Sequence, residues 1–376
     1  MDRDRNTNRD GDEDRNRNRE RAPEPPCPSP ERPRSRPGPT RWGICSAGAI
    51  SHDFVLALRT LPPEEHTVAA VAARDLGRAR DFAQHFGVPR AYGSYEELAQ
   101  DPGVDVVYVG VVNPAHLPVG LLFLRRGRPV LMEKPMALGA REVAQLVGTA
   151  RDEGVFLMEG FWTRFFPAWR RLRSLARGGG AGVAPGAAGS SASTWGVPRL
   201  REPRLGGGVL LDLGGYGIQT VILGGFRVFL GGFWVFLGWI SVVFGRISGV
   251  SGRILGVFGV DFCWFLGGFR VFLGLTPPSM PPPAADPHEL PHGAALGRRE
   301  RFPLPPPAEP LNFPHSTGLR YEAQHVRECL LQGLTESPEM PLAESEVIAR
   351  LLDQAREQVG LKTAGVTAGV TTDPPE

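Results

Sequence analysis

The stretch Val130-Leu131-Met132-Glu133-Lys134-Pro135 decides how the chain is read. An apolar run closes on two opposite charges and a proline. That is the pattern of a buried strand that delivers a lysine to the carboxyl edge of a parallel sheet and then stops, because proline cannot continue the ladder. Open α/β sheets bind their ligands at that edge. Taking a lysine out of water is costly unless its charge is used, so Lys134 beside Glu133 is a functional candidate. An ordinary ion pair at a strand end is the other reading of these six residues.

Working outward, strand and helix signals alternate from Arg41 to about residue 160. Trp42 to Cys45 reads as a strand that breaks into the small residues Ser46 to Ser51, with a helix from about Ser51 to Thr60. Val68 to Ala73 is a second strand ending at Arg74, followed by a helix with Phe82 and Phe86 on one face. Tyr95 to Ala99 predicts a short helix, Val106 to Val112 a strand, and Asn113-Pro114-Ala115-His116 the opening of another helix. Beyond the hexapeptide come a helix over about 139–152 and a strand over Val155 to Met158. Such alternation means parallel strands with crossover helices, a doubly wound α/β sheet of the Rossmann type over residues 41–160.

The rest of the chain is less regular. Of 376 residues, 48 are Gly and 37 Pro, more than a compact α/β enzyme needs, so part of the chain is expected to lie outside ordinary globular material. Residues 1–40, built from Arg, Asp, Asn, Glu and Pro, and residues 362–376 read as disordered tails. Residues 178–193 are nearly all Gly, Ala, Ser and Pro, a linker composition. Val209 to Gln219 reads as a helix start, after which 222–275 form a Phe/Gly/Val/Leu tract. It carries the segment Gly224 to Gly231 again at Gly267 to Gly274. A membrane hairpin over 228–275 is disfavoured by its frequent glycine, its interrupting charges and the lack of a basic flank. Pro277 to Pro310 is proline-rich and expected to be unpacked, and amphipathic helices return at Tyr321 to Leu331 and Leu342 to Val359.

Several function classes are excluded. A net charge of +2 argues against a nucleic-acid surface. Cys27, Cys45, Cys263 and Cys329 are scattered, so neither a metal site nor a disulfide framework is indicated, and a reducing, cytoplasmic setting fits. No apolar leader follows the charged N-terminus.

The first turn reads Ser46-Ala47-Gly48-Ala49-Ile50-Ser51 where a dinucleotide fingerprint has three glycines. Only the middle one, which lets the backbone approach a pyrophosphate, is kept. The turn follows the first strand and opens a helix whose N-terminal amides suit an anion, so Ser46, Gly48, Ala49 and Ile50 are candidate cofactor contacts. At the end of the second strand an NAD site would carry an acid. Here stand Arg74 and, a turn later, Arg78, whose guanidinium groups match a 2′-phosphate and favour NADP. Asp212 and Tyr216, four apart, share one helix face. A nearby ammonium such as that of Lys134 would lower the phenol's pKa from about 10 toward use as a base.

Together the Gly48 turn, Glu133-Lys134-Pro135 and Asp212-x-x-x-Tyr216 resemble the Gfo/Idh/MocA oxidoreductases. The resemblance is carried further by Ala72-Ala73-Arg74-Asp75, by Ala91 to Leu98, and by Met158 to Pro167 with its Trp162-Thr163-Arg164-Phe165-Phe166-Pro167. It resumes over Val197 to Gln219 and Phe302 to Leu361. It implies an N-terminal Rossmann domain and, over 161–361, a C-terminal α/β domain whose open, mostly antiparallel sheet makes a homodimer. It also implies NADP-dependent oxidation of trans-dihydrodiols of aromatic hydrocarbons to catechols and of D-xylose to its lactone. By position, Tyr216 would take the substrate's hydroxyl proton and Lys134 would tune it and touch the ribose. Tyr108, Asn113, His116 and Glu133 would line the cofactor cleft, while Asp212, Trp162 and Phe313 would lie near the substrate. His116, at a helix start, also reads as a capping residue.

The chain departs from the family where the Phe/Gly tract replaces the expected sheet strands, and where Gly, Ala and Ser replace the strand after Pro167. A late tryptophan has no counterpart, and Pro314 stands where an aspartate is expected. Two functions therefore follow from the sequence: the NADP-dependent dehydrogenase, or a non-catalytic NADP-binding Rossmann protein whose catalytic half is disrupted.

Overall fold

Six short runs, most of them rich in Val, Ala, Ile and Met, become six parallel strands, because most are buried on both faces and parallel neighbours are reached only through a crossover. In the computed structural model they are β1 (Thr40–Cys45), β2 (His66–Ala72), β3 (Ala91–Tyr92), β4 (Val106–Val109), β5 (Val130–Glu133) and β6 (Leu157–Gly160). Their order, β3-β2-β1-β4-β5-β6, reverses direction between β1 and β4. That is the switch point at which dinucleotide-binding sheets hold their ligand. Residues 38–177, 205, 210–216, 218–219, 289–290 and 300–358 are described.

The crossovers are α1 (Ala49–Leu58), α2 (Leu76–Phe86), α3 (Tyr95–Gln100), α4 (His116–Arg125) and α5 (Ala140–Glu153). One face of the sheet is covered by a core around Trp42, Phe54, Leu56 and Tyr108, the other by one around Leu98, Phe123, Leu146 and Val147. Two helix starts are fixed by side chains: Asp75 accepts from the Arg78 amide, and Ser94 with Glu97 forms a capping box.

The strand expected over 106–112 ends at Val109. A side chain at Gly110 would stand 2.7 Å from Ser51 Oγ and 3.0 Å from the Tyr108 ring, so β4 leaves the sheet where α1 comes closest. The strand expected over 155–158 starts two residues later, because the Val155 amide turns back to Ala150 O (2.9 Å) past left-handed Gly154. The two-residue β3 has too little pattern to be foreseen.

After β6 come the turn Trp162–Phe165 and α6 (Pro167–Arg177), and the C-terminal helices are α7 (Leu319–Leu331) and α8 (Leu342–Gln358). Both amphipathic helices lie where the sequence puts them. Buried Arg164 joins this part to α8 through both oxygens of Glu344 and the Glu339 carbonyl. The Leu157 amide bonds to Thr335 O (3.2 Å), and Leu157 pairs in parallel with Glu336, so the start of the β6 edge is covered.

Of the expected second-domain sheet, the described residues include only the antiparallel pair β7 (Glu289–Leu290) and β8 (Glu300–Arg301). The rest of that sheet, the tract 222–275, the linker 178–193 and the tails 1–37 and 362–376 lie outside the described residues. Among the described residues no helix is long and apolar enough to cross a membrane.

The expectation that the proline-rich tract is unpacked fails at its end. Glu309 meets His85 Nε2 at 2.8 Å, and Leu311 packs on the core. The anchor is Asp53 of α1, wholly buried, whose carboxylate accepts from the amides of Asn312 (3.0 Å) and Phe313 (2.8 Å), from Asn312 Nδ2 (2.8 Å) and from Ser316 Oγ (2.6 Å). Burial alone would raise the Asp53 pKa, but these donors outweigh it and hold it below the usual value. Because the folded pKa is the lower one, this contribution is present above the unfolded pKa and lost as pH falls through the folded one. Asp53→Ala, which strands several buried donors, is expected to cost about 3 kcal/mol in denaturant unfolding at pH 7. The gap should narrow without closing as pH falls from about 4 through the folded pKa, because the carboxylate's charge titrates while the stranded donors stay stranded.

Candidate active site

The turn after β1 shows why a dinucleotide fingerprint prefers glycine at its first position. Ser46 is forced to φ 88°, a left-handed value that a side chain resists, and it holds this while its side chain hydrogen-bonds Tyr95. Gly48 caps α1 in extended conformation with no side-chain partner, in contrast to the capped α2 and α3. The first amides of α1 are thus left to a ligand, with Ala49 exposed and Ile50 half-buried beside them. Arg74 and Arg78 are exposed at the end of β2 and the start of α2, and their charges act on the same Tyr95. An uncapped helix start, a tight turn and two exposed guanidinium groups fit the phosphates of a dinucleotide.

At the other side of the switch point, β5 ends in Glu133 and hands Lys134 to the sheet edge. The lysine is braced from all sides. Its amide bonds to Glu133 Oε2 (3.2 Å), the Pro135 carbonyl lies 2.7 Å from His116 Nδ1, and the Met136 amide reaches Glu159 Oε1 (2.8 Å). The Lys134 ammonium donates to Asp212 Oδ1 (2.8 Å) and to the Asp212 carbonyl (3.0 Å), and it lies 5.5 Å from the centre of the Tyr216 ring. Asp212 sits in the π-helical turn Leu210–Gly214, which leads directly into Tyr216. Trp162 Nε1 donates to the Tyr216 hydroxyl (2.7 Å), and the Phe161 ring meets the tyrosine edge-on at 5.4 Å.

The structure therefore brings together Lys134, Asp212, Tyr216 and Trp162, which are far apart in sequence. It places other candidates differently. Tyr108 is fully buried, stacked 3.8 Å from Phe54, with its hydroxyl donating to Glu133 Oε1 (2.7 Å). His116 is fully buried between two carbonyls, Pro135 O and Val111 O. Burial lowers its pKa, so the neutral ring clamps the loop beyond Lys134 instead of facing solvent. It lies in the first turn of α4, but without a capping bond there. Asn113 opens the short 3₁₀ turn before it. The bonds that fix Phe313 run to Asp53.

The expected lowering of the Tyr216 pKa is not what these groups produce. Burial pushes it well above 10, and the carboxylates of Glu133 and Asp212 push the same way against the Trp162 hydrogen bond. Lys134 spends its charge on Asp212. Sequence reasoning also missed two acids. Glu159 on β6 is buried, and desolvation raises it to about 7. Glu322 on α7 is wholly buried, shares a face with Val326 and Cys329 at helical spacing, and is raised well above 4.5 by burial and by Glu133. An acid on the apolar stripe of an amphipathic helix was the available signal. Elsewhere, His52, His85 and Glu309 have ligand atoms within 4.8 Å of one another, and Arg59 lies 3.9 Å from Glu309.

An open doubly wound sheet with an anion-ready turn on one side of its switch point and a lysine–tyrosine pair on the other is the apparatus of a dinucleotide-dependent oxidoreductase. The chain belongs to the Gfo/Idh/MocA oxidoreductases, whose family model, an oxidoreductase family with an NAD-binding Rossmann fold, matches residues 40–161. Along most of its length it is similar to enzymes named trans-1,2-dihydrobenzene-1,2-diol dehydrogenase. It is 46% identical to that of Danio rerio over 344 residues, covering 85% of this chain and 97% of the relative. It is 41% identical to that of Homo sapiens over 328 residues, again 85% and 97%. A solved 3-ketoreductase from Actinomadura kijaniata with NADP and TDP-benzene is 29% identical, covers 49% of this chain and 56% of its own, and has a TM-score of 0.43. The chain is thus an enzyme of the oxidoreductase class that acts on a small molecule with a nicotinamide dinucleotide.

Asp212→Asn should free the Lys134 ammonium and remove one anion from beside Tyr216. The phenol's ionisation, followed by ultraviolet difference absorption of the phenolate against a Tyr216→Phe control, is expected to move to lower pH than in the wild type.

Proposed function

We propose that the chain oxidises a secondary alcohol with NADP, the substrates being trans-dihydrodiols of aromatic hydrocarbons, which become catechols, and D-xylose, which becomes its lactone. The observation that carries this reading is the Lys134 ammonium placed between Asp212 and the Tyr216 ring at the carboxyl end of the sheet. The names of the relatives in Danio rerio and Homo sapiens support the diol. Arg74 and Arg78, where an NAD site would carry an acid, support the 2′-phosphate.

In this reading Ser46, Gly48, Ala49 and Ile50 hold the pyrophosphate, and Glu133 and Lys134 stand at the nicotinamide end, with Asn113 on the loop between β4 and α4. When bound, the dinucleotide accepts hydride from the carbinol carbon. Tyr216 takes the hydroxyl proton, Trp162 orients the phenol oxygen through its indole N–H, and Asp212 holds Lys134 in place and faces the substrate. Phe313, on the segment anchored by Asp53, forms part of the apolar wall. Tyr108 and His116 act from beneath, the first by holding Glu133 and the second by holding Pro135. A cytoplasmic homodimer completes the proposal, tested by sedimentation of the purified chain and fractionation of its cells.

Tyr216→Phe is expected to reduce NADPH formation from benzene dihydrodiol by a factor on the order of 10² to 10⁴ while sparing NADP affinity. Unchanged turnover removes Tyr216 from the mechanism. Arg74→Ala with Arg78→Ala should weaken NADP binding roughly ten- to a hundredfold and leave NAD binding nearly unaltered, as loss of charge-assisted phosphate bonds requires. NADP binding by the wild type with no turnover of either substrate class would select a non-catalytic binding protein instead.

A further inference from the structure

Three side chains for which the reaction above has no use converge beside α1 and α2. His52 of α1, His85 in the last turn of α2 and Glu309 of the proline-rich segment hold ligand atoms within 4.8 Å of one another. Among the described residues no other three of His, Cys, Asp and Glu do so. Spacing in the sequence could not announce them, because His85 and Glu309 are 224 positions apart. Their side chains are between 25% and 49% exposed, so a hydrated cation has access to them.

An exposed histidine–glutamate pair is common and contributes little by itself. What sets this one apart is how both rings are held. The buried ring of Phe86 meets His52 edge-on at 5.0 Å and His85 edge-on at 4.5 Å, and the two imidazoles stack on each other at 5.7 Å. His52 Nδ1 lies 3.1 Å from Asp53 Oδ1, with the side-chain amide of Asn312, itself bonded to Asp53, at the same distance. A buried carboxylate at the far ring nitrogen is the support that metal-binding histidines use. It leaves Nε2 of His52, to which no described residue bonds, as the nitrogen to offer. His85 turns its Nε2 to Glu309 Oε2 at 2.8 Å. Ligand atoms about 2.0–2.1 Å from a tetrahedral zinc stand roughly 3.3 Å from one another. That value lies between the 2.8 Å of the His85–Glu309 pair and the 4.8 Å limit of the trio, so small rotations of exposed side chains suffice. Arg59, the cation beside the site, is engaged elsewhere: it donates to the Phe86 carbonyl (2.6 Å) and lies over the Phe86 ring, 3.9 Å from the other oxygen of Glu309.

We propose that His52, His85 and Glu309 bind one divalent transition-metal ion of the zinc class, and that the ion clasps the segment from Glu309 to Ser316 onto α1 and α2. Two imidazoles and a carboxylate suit Zn²⁺ and its neighbours, whereas Mg²⁺ and Ca²⁺ prefer oxygen alone. Both rings ligate as neutral imidazoles with the proton on Nδ1. The His85–Glu309 hydrogen bond is thereby exchanged for two bonds to the ion, and water fills the remaining position. Asp53 already holds Asn312, Phe313 and Ser316 from within. The ion is a second fastening, from the solvent side, on the segment that carries Phe313. The inference does not depend on the cofactor reading.

Titration of the chelator-stripped full chain with Zn²⁺ alone, followed by calorimetry, tests this. One Zn²⁺ per chain should bind at this site, and Mg²⁺ or Ca²⁺ should bind at least about tenfold more weakly. His52→Gln, His85→Gln and Glu309→Gln should each weaken zinc binding by about a hundredfold or more, since even the outer partners of a ligand are worth about 10- to 100-fold. Glu309→Gln keeps a hydrogen-bonding group for His85, so a loss there belongs to the ion and not to docking of the segment. With zinc at about a hundred times its dissociation constant, hydrogen exchange at the Asn312 and Phe313 amides should slow by up to about a hundredfold in the wild type and not in His85→Gln. Zinc binding that survives all three substitutions, or no binding by the wild type, overturns the site. Binding that the substitutions abolish, with unchanged exchange at Asn312 and Phe313, overturns the clasp.

Discussion

The ammonium of Lys134, 2.8 Å from Asp212, is the tie on which the cleft depends. It joins the last residues of β5 to a segment some eighty positions later and so brings the sheet edge against Tyr216. The protein invests heavily in keeping that ammonium in place. Glu133, His116 and Glu159 each bond the backbone on one side or the other of Lys134, and all three are buried. The rigidity is of the kind catalysis needs, because a group misplaced by about 1 Å loses much of its effect.

Burial sets the electrostatics. Glu133 and Asp212 gather around a phenol that burial already holds in its protonated form, and their carboxylates push Tyr216 further up. Tyr216 is thus held as a phenol, and a positive charge placed beside it would favour the phenolate.

The fold was legible because its signals are local. Val106 to Val109 and Val130 to Met132 are apolar runs too short for helices, bounded by breakers, and Phe82 with Phe86 marks one helical face. The bringing together of Lys134, Tyr216, Asp212 and Trp162 was legible only through resemblance, since no periodicity links residues so far apart. What the sequence hid falls into two kinds. Ser46 looked like a degraded glycine, yet it adopts the left-handed backbone that the position demands, so the turn tolerates a strain that composition does not reveal. Asp53, Glu159 and Glu322 hid because a buried acid is recognised by what surrounds it. Asp53 meets four donors from residues 312–316, some 260 positions away, and Glu322 meets none among the described residues.

The cover over Leu157 has a bearing on self-association. A parallel sheet ending in a bare strand offers a row of amides and carbonyls to any neighbouring molecule. Here the chain's own Thr335 and Glu336 occupy part of that row, and at the opposite margin the outermost strand, β3, is only two residues long. Among the described residues, the nucleotide-binding sheet leaves little backbone for a second molecule to zip onto.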